Sequence, residues 1–338
     1  MSDPLDRFQH HSLITSMFFP QTRLVVAGNP KAAGTSLRWW LLPLHGVDVE
    51  QATRRSLWQE SAPYQTVWDT RVNLRYAWNN LPEDERRDAV ESEDVLTVQP
   101  VRNPITRAFS AWSGKYLNAE PYYSERLPAS IPVPDEDVES PHHITELFEA
   151  FITALAKHVQ EHTWAGSDVH FWPQHLMLGR QPAGSVLVLR QESMGEGIAA
   201  IQHHLATHGI TAGPAPRINE TIVAYQPTLV TDTALDALLS LYGEDFTTWN
   251  YLPERPEASA RDVDLGWLND VRGRNRRYQV IHEAAMSGEQ REKELIAEVA
   301  RAQTRERELL SSTSWKLTRP VRAISQAVGS RRGRSRSR

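Results

Sequence analysis

Lys31, Gly34, Thr35 and Ser36 fall within six consecutive positions of the stretch LVVAGNPKAAGTSLRWWLL, Leu24 to Leu42. A cation followed by small residues and hydroxyls suits the binding of an anion. The flanking residues supply the scaffold. Leu24 to Ala27 is apolar with two valines and reads as a short buried strand, closed by the turn signal Gly28-Asn29-Pro30. The segment after it starts a helix, whose first N–H groups lack intrahelical acceptors and sit at the positive end of its dipole. A nucleoside triphosphate loop, G-x-x-x-x-G-K-[ST], is the obvious comparison. Counted from Gly28, its second glycine falls on Ala33 and its lysine on Gly34. The motif fails, so the expected ligand differs from ATP with magnesium.

A second constellation lies in VLTVQPVRNPITRAFSAWSGKYL, Val95 to Leu117. Val95 to Val101 reads as a strand, and Asn103-Pro104 as the cap and first residue of a helix running to about Leu117. Arg107 and Ser110 share a face with Asn103, while Phe109, Trp112 and Tyr116 form an apolar stripe. The polar face is expected to meet a ligand.

PKAAGTSL resembles the 5′-phosphosulfate loop of sulfotransferases, which take a sulfuryl group from 3′-phosphoadenosine 5′-phosphosulfate (PAPS). The stretch from Val95 to Leu117 is similar to their 3′-phosphate motif, and the two occur in the family's order. The resemblance is best to the carbohydrate sulfotransferases that include the chondroitin, dermatan and HNK-1 enzymes, and it covers about Thr22 to Leu252. HFWPQ (His170 to Gln174) is similar to their His-Trp-x-Pro-Gln segment, SVLVLRQESM to the strand after it, and PRINET with LYGEDF to their Asn-containing loop and Tyr-x-x-Asp-Phe ending. The resemblance implies a P-loop-NTPase-like sulfotransferase fold, α/β, with a central mostly parallel sheet flanked by helices. It implies that Lys31 stabilises the departing phosphate, with Ala33, Gly34, Thr35 and Ser36 holding the 5′-phosphate. Arg102 and Ser110 would hold the 3′-phosphate, and Arg217 and Asn219 would close over the nucleotide. PAPS is then the co-substrate, a glycan or glycolipid hydroxyl the acceptor, and no metal is expected. Those eukaryotic enzymes are anchored and cysteine-rich, whereas this chain has no Cys. That difference leaves acceptor and location open, but not the donor chemistry, and the member expected is of bacterial type.

An acceptor hydroxyl needs a base. His170 is the first candidate because it begins HFWPQ, with a structural role equally open; His45, Asp69 and His175 are the others. His158 and His162 with Glu161 match H-x-x-E-H, the inverted zinc-protease pattern. No third ligand stands out, and a solvated helix face accounts for them.

The 338 residues suffice for a real core. Strands alternating with helices, at 185–189, 193–208 and 231–242, argue for α/β. Residues 1–21 read as a flexible lead, 22–252 as the sulfotransferase domain, 253–280 as a charged linker, 281–312 as a charged helix and 313–338 as a basic tail. The fold is thus expected to carry a C-terminal helical extension, followed by the membrane-facing tail. Asn118 to Pro141 reads as a long loop over the site. The net charge of −5 hides an asymmetry, for the residues from Trp315 on carry eight Lys or Arg and no acid, leaving −13 on the rest. Such a tail suits an anionic membrane surface, with nucleic acid the weaker partner. The expected location is cytoplasmic, peripheral at the inner membrane face, and the oligomeric state is open. A nucleotide-dependent kinase and a non-catalytic membrane-associated scaffold for glycan assembly are the alternatives.

Overall fold

The computed structural model describes residues 16–49, 76–121, 123, 126–164, 166–178, 184–218, 221–258, 261–281, 284 and 301. The chain divides into two compact units, Met1–Arg277 and Tyr278–Arg338. The described residues of the second, 278–281, 284 and 301, are helical. Most of the expected charged helix, and all of the basic tail, lie outside the described residues, as does Asp69.

The first unit is built on a four-stranded sheet in the order β1 (Met17–Phe19), β2 (Leu24–Val26), β3 (Leu96–Val101), β4 (Ser185–Arg190). β2, β3 and β4 run parallel, with Val26 opposite Val98 and Val98 opposite Leu187; β1 pairs antiparallel with β2. Successive strand residues face opposite ways, and the apolar pattern follows that alternation. Phe19, Leu24, Val26, Val98 and Leu189 pack on one face against Leu37, Leu41, Ile201 and Leu205 of helices α1 (Gly34–Leu44) and α6 (Met194–Thr207). Phe18, Val25 and Val95 pack on the other against Trp78, Leu81 and Val90, the last on α2 (Glu83–Glu91). β1 falls in the expected flexible lead. Three residues gave too short a period to read, yet all three are buried, and the chain is part of the core from Ser16 on.

A second core joins α3 (Pro104–Trp112), α4 (Pro141–His162) and α7 (Asp232–Thr248) through Phe109, Trp112, Phe148, Phe151, Leu238 and Tyr242. Asn103 caps α3 as expected, its Oδ1 accepting the N–H of Ile105 at 2.9 Å. Beyond Trp112 the helix widens into a π-turn, Ser113–Leu117. α7 does not stop at Gly243 but continues past a kink at Tyr242. The kink lets Tyr242 donate its hydroxyl to the Phe171 carbonyl at 2.7 Å while Asp245 reaches the start of the short helix α5 (Gln174–Leu178). The expected linker contains a helix, α8, over residues 265–277. Leu268 and Arg272 are fully buried, and Arg272 donates to the carbonyls of Leu117, Pro134 and Glu136. Its charge disguised an anchor for the loop that follows the π-turn.

Asp245 is buried and accepts the N–H groups of Gln174 at 2.7 Å and His175 at 2.8 Å. An aligned carboxylate at a helix start satisfies donors that have no helical partner. Asp245→Ala is expected to lower unfolding free energy by about 2–4 kcal/mol, since it strands two buried donors. Urea denaturation monitored by far-UV circular dichroism measures it.

Candidate functional site

The parallel strands end along one edge, and each continues into a residue of the site: β2 leads to Lys31, β3 to Arg102 and β4 to Glu192. Carboxyl ends of parallel strands are where open α/β sheets hold ligands. Here they border a cleft of about 1370 Å³ whose lining includes Lys31, Ala33, Gly34, Thr35, Ser36, Arg102, Ser110 and Arg217. The structure thus brings together eight of the residues the sequence singles out. Asn219 lies outside the described residues.

The loop between β2 and α1 is strained. Lys31 and Ala33 both take the left-handed conformation, with φ of 65° and 62°. Each such non-glycine residue costs roughly 1 kcal/mol or more, so surrounding structure must hold it. Arg107 donates from Nε to the Pro30 carbonyl at 3.0 Å and from Nη1 to the Trp172 carbonyl at 2.9 Å. Arg102 Nη1 reaches the Lys31 carbonyl at 3.3 Å. Asn29 Nδ2 donates to the Pro100 carbonyl and to Gln174 Oε1, both at 2.8 Å. Gln174 in turn accepts the Arg102 N–H at 3.0 Å and donates to the Arg102 carbonyl at 2.8 Å. These bonds fix loop, strand end and HFWPQ segment as one body.

Two expectations are corrected. Arg107 does not face a ligand, because it is 1% exposed and spends its guanidinium on backbone carbonyls. Ser36 Oγ, expected to point at a phosphate, donates instead to the Ile218 carbonyl at 3.2 Å, tying the 211–218 loop to α1.

Lys31 Nζ forms no hydrogen bond or ion pair with a described residue. It lies against the π-turn, where a Cβ built on Gly114 would come within 2.5 Å of it. Burial, reinforced by Lys115 and Arg102 and opposed by Glu120 and Asp168, lowers its pKa to about 7. Arg102, lowered by burial to about 10, stays charged at neutral pH, and its Nε donates to Thr106 Oγ1 at 3.0 Å. Ser110 is buried and lines the cleft, and its hydroxyl forms no hydrogen bond with a described residue. The cleft therefore holds Lys31, Arg102 and Arg217, and among the described residues no carboxylate forms an ion pair with the Lys31 ammonium.

The candidate bases separate. His175 has both ring nitrogens beside carboxylates, Nδ1 at 2.7 Å from Asp245 and Nε2 at 3.2 Å from Glu244, so it has no nitrogen to offer. His45 stacks on Phe19 at the far end of α1 from the loop, and burial lowers its pKa to about 4. His170 does not line the cleft, but the ammoniums of Lys31 and Lys115 act on its ring. Its Nδ1 is 2.8 Å from Asp168 Oδ1. Among the described residues no group of three or more His, Asp or Glu is placed to hold a metal ion.

Sequence reasoning missed Gly114, Arg107, Gln174, Asp168 and Asp245 as parts of the site's support. Gln174 and Asp245 lay inside quoted motifs, and Asp168 sits at cap spacing before His170. Nothing in the sequence marked Gly114. Gly114→Ala is expected to keep the fold, since a helical glycine gains up to about 1 kcal/mol on becoming alanine, while displacing the Lys31 ammonium. Affinity for a phosphorylated ligand should fall about tenfold or more, near 1.4 kcal/mol, by calorimetry.

The family described as "Sulfotransferase family" has a model that matches residues 15–252. No curated protein and no solved structure matches the chain significantly.

Proposed function

Because the chain belongs to the sulfotransferase family, we propose that it transfers a sulfuryl group from PAPS to a hydroxyl of a glycan or glycolipid. The observation that best supports the donor is the convergence on one cleft of Lys31, which has no ion pair among the described residues, the first turn of α1, Arg102 and Ser110. In this reading the 5′-phosphate rests on the N–H groups at the start of α1, and Arg102 with Ser110 takes the 3′-phosphate. The strand–loop–helix of residues 24–44 then acts as a P-loop-like cradle with its lysine moved forward into the loop.

The acceptor oxygen forms a bond to sulfur as the bond from sulfur to the bridging oxygen breaks. Its proton passes to His170, and the electron pair of the broken bond goes to the 5′-phosphate, where Lys31 meets the growing charge. Adenosine 3′,5′-bisphosphate and a sulfate ester leave. Positioning and electrostatics supply the rate enhancement, as in phosphoryl transfer. The carbohydrate-type segments HFWPQ and LYGEDF support the acceptor class. The eight cations of the tail support action at the anionic inner face of a membrane. No helix among the described residues is long and apolar enough to cross one.

Calorimetry with adenosine 3′,5′-bisphosphate against ATP with magnesium tests the donor: the bisphosphate is expected to bind more tightly, and a preference for ATP overturns the reading. Radiolabelled PAPS with a panel of envelope glycans and lipids identifies the acceptor. Lys31→Ala should reduce transfer about 10²–10³-fold, the loss expected for one charge-stabilising donor.

The lysine also sets a pH dependence. Its pKa of about 7 in the free protein means that above pH 7 a proton must be taken up before the ammonium can meet a phosphate. Bisphosphate affinity is therefore expected to be greatest at pH 7 and below, and to fall by up to about tenfold per unit from pH 7 to 9. Lys31→Ala should flatten that slope; an unchanged slope in the variant would assign it to another group.

A further inference from the structure

Asp168 is 3% exposed and has both carboxylate oxygens engaged. Oδ1 accepts the backbone N–H of His170 at 3.0 Å and lies 2.8 Å from its Nδ1, while Oδ2 accepts the Tyr116 hydroxyl at 2.6 Å. We propose that Asp168 and Tyr116 are positioning residues that hold the His170 proton on Nδ1, so that Nε2 is the lone pair that takes the acceptor's proton. This rests on the sulfuryl-transfer reading of Lys31 and His170.

A carboxylate serving only as a cap for the turn Val169–Phe171 would need the backbone bond alone. The two further bonds fix the ring's tautomer and prevent the carboxylate from rotating. Charge runs the same way. Burial works against ionising Asp168, but His170 and the Tyr116 hydroxyl overcome it and hold the carboxyl well below the usual range. Burial, with Asp168 alongside, raises Tyr116, so its phenol remains a donor. The His170 ring also faces the edge of Tyr123 at 5.4 Å and the ammoniums of Lys115 and Lys31. Burial and the two cations outweigh Asp168 and keep the ring below its ordinary pKa, neutral at pH 7. No described residue bonds to Nε2.

The placement follows from the π-turn. Ser113–Leu117 carries Gly114 beneath the Lys31 ammonium and, two positions on, Tyr116 against Asp168. Single π-turns inside helices recur at functional sites because they re-aim neighbouring side chains. One turn here sets both the cation expected at the donor and the base expected at the acceptor.

The test combines ¹⁵N-imidazole NMR of the full chain with transfer kinetics on the acceptor found by the panel. In the wild type the His170 signal is expected to show Nδ1 protonated and Nε2 bare at pH 7.5. Tyr116→Phe and Asp168→Asn should each lower that tautomer's population and reduce kcat, the second by about 10²–10⁴-fold, with bisphosphate affinity within twofold. The acid limb of kcat/KM should move to lower pH in Asp168→Asn, because the raising influence on His170 is gone. A wild-type His170 protonated on Nε2 overturns the proposal, and so does unchanged kcat in both variants when His170→Ala is inactive. Should Asp168→Asn fail to fold, Tyr116→Phe carries the same outcomes. Failure of the sulfuryl-transfer reading shows separately, as absent bisphosphate binding by the wild type.

Discussion

The hydrogen bonds that hold residues 29–31 in place are the constraint on which the site depends. Left-handed Lys31 and Ala33 would relax in a free loop. They persist because buried Arg107 grips the Pro30 carbonyl, and because Gln174 ties Asn29 to the end of β3. A buried guanidinium is costly without acceptors, and here one acceptor is the Pro30 carbonyl beside the left-handed Lys31 and the other the Trp172 carbonyl. Each group removes the other's penalty.

The same logic extends outward from Gln174. Its side chain serves the loop and Arg102, while its backbone N–H goes to Asp245 on α7, and Tyr242 one turn earlier holds the Phe171 carbonyl. The HFWPQ and LYGEDF segments are therefore two halves of one polar connection running from the second core to the strand ends. Such networks specify geometry when every member is satisfied, because partial satisfaction in a low dielectric is expensive. Neither segment needs to touch a nucleotide for its residues to matter to the cleft.

How much of this was legible follows from what each feature depends on. β2, β3, β4, the cap at Asn103 and α4 were readable because apolar period and capping chemistry are local. The clusters around Lys31 and Arg102 stood out because residue types and order are themselves a local signal, and the structure lines one cleft with both. β1 was too short to show a period, and α8 was mistaken for a linker because its one deeply buried cation, Arg272, looks in sequence like any surface arginine. Arg107 was assigned to a ligand for the opposite reason: its helix face was right, but what lay opposite that face was the backbone of another segment. Gly114 and Tyr116 acquire meaning only through the π-turn, a departure from helical spacing that no 3.6-residue pattern announces.

That turn also links the two charges that matter most. Burial lowers both Lys31 and His170, with Lys115 adding to the lowering of each and Lys31 to that of His170, while Lys115 itself is raised against its own burial by Glu120 and Tyr123. Glu120 and Asp168 oppose the effect on Lys31 without cancelling it. A doubly charged phosphate arriving beside Lys31 adds negative potential, which favours the ammonium and raises His170 toward its ordinary pKa. A base is most effective when its pKa lies near the working pH. On the proposed reading, a nucleotide bound beside Lys31 would supply the counter-ion of that lysine and make His170 a stronger base, so that a base kept weak in the free protein would strengthen when the donor is in place.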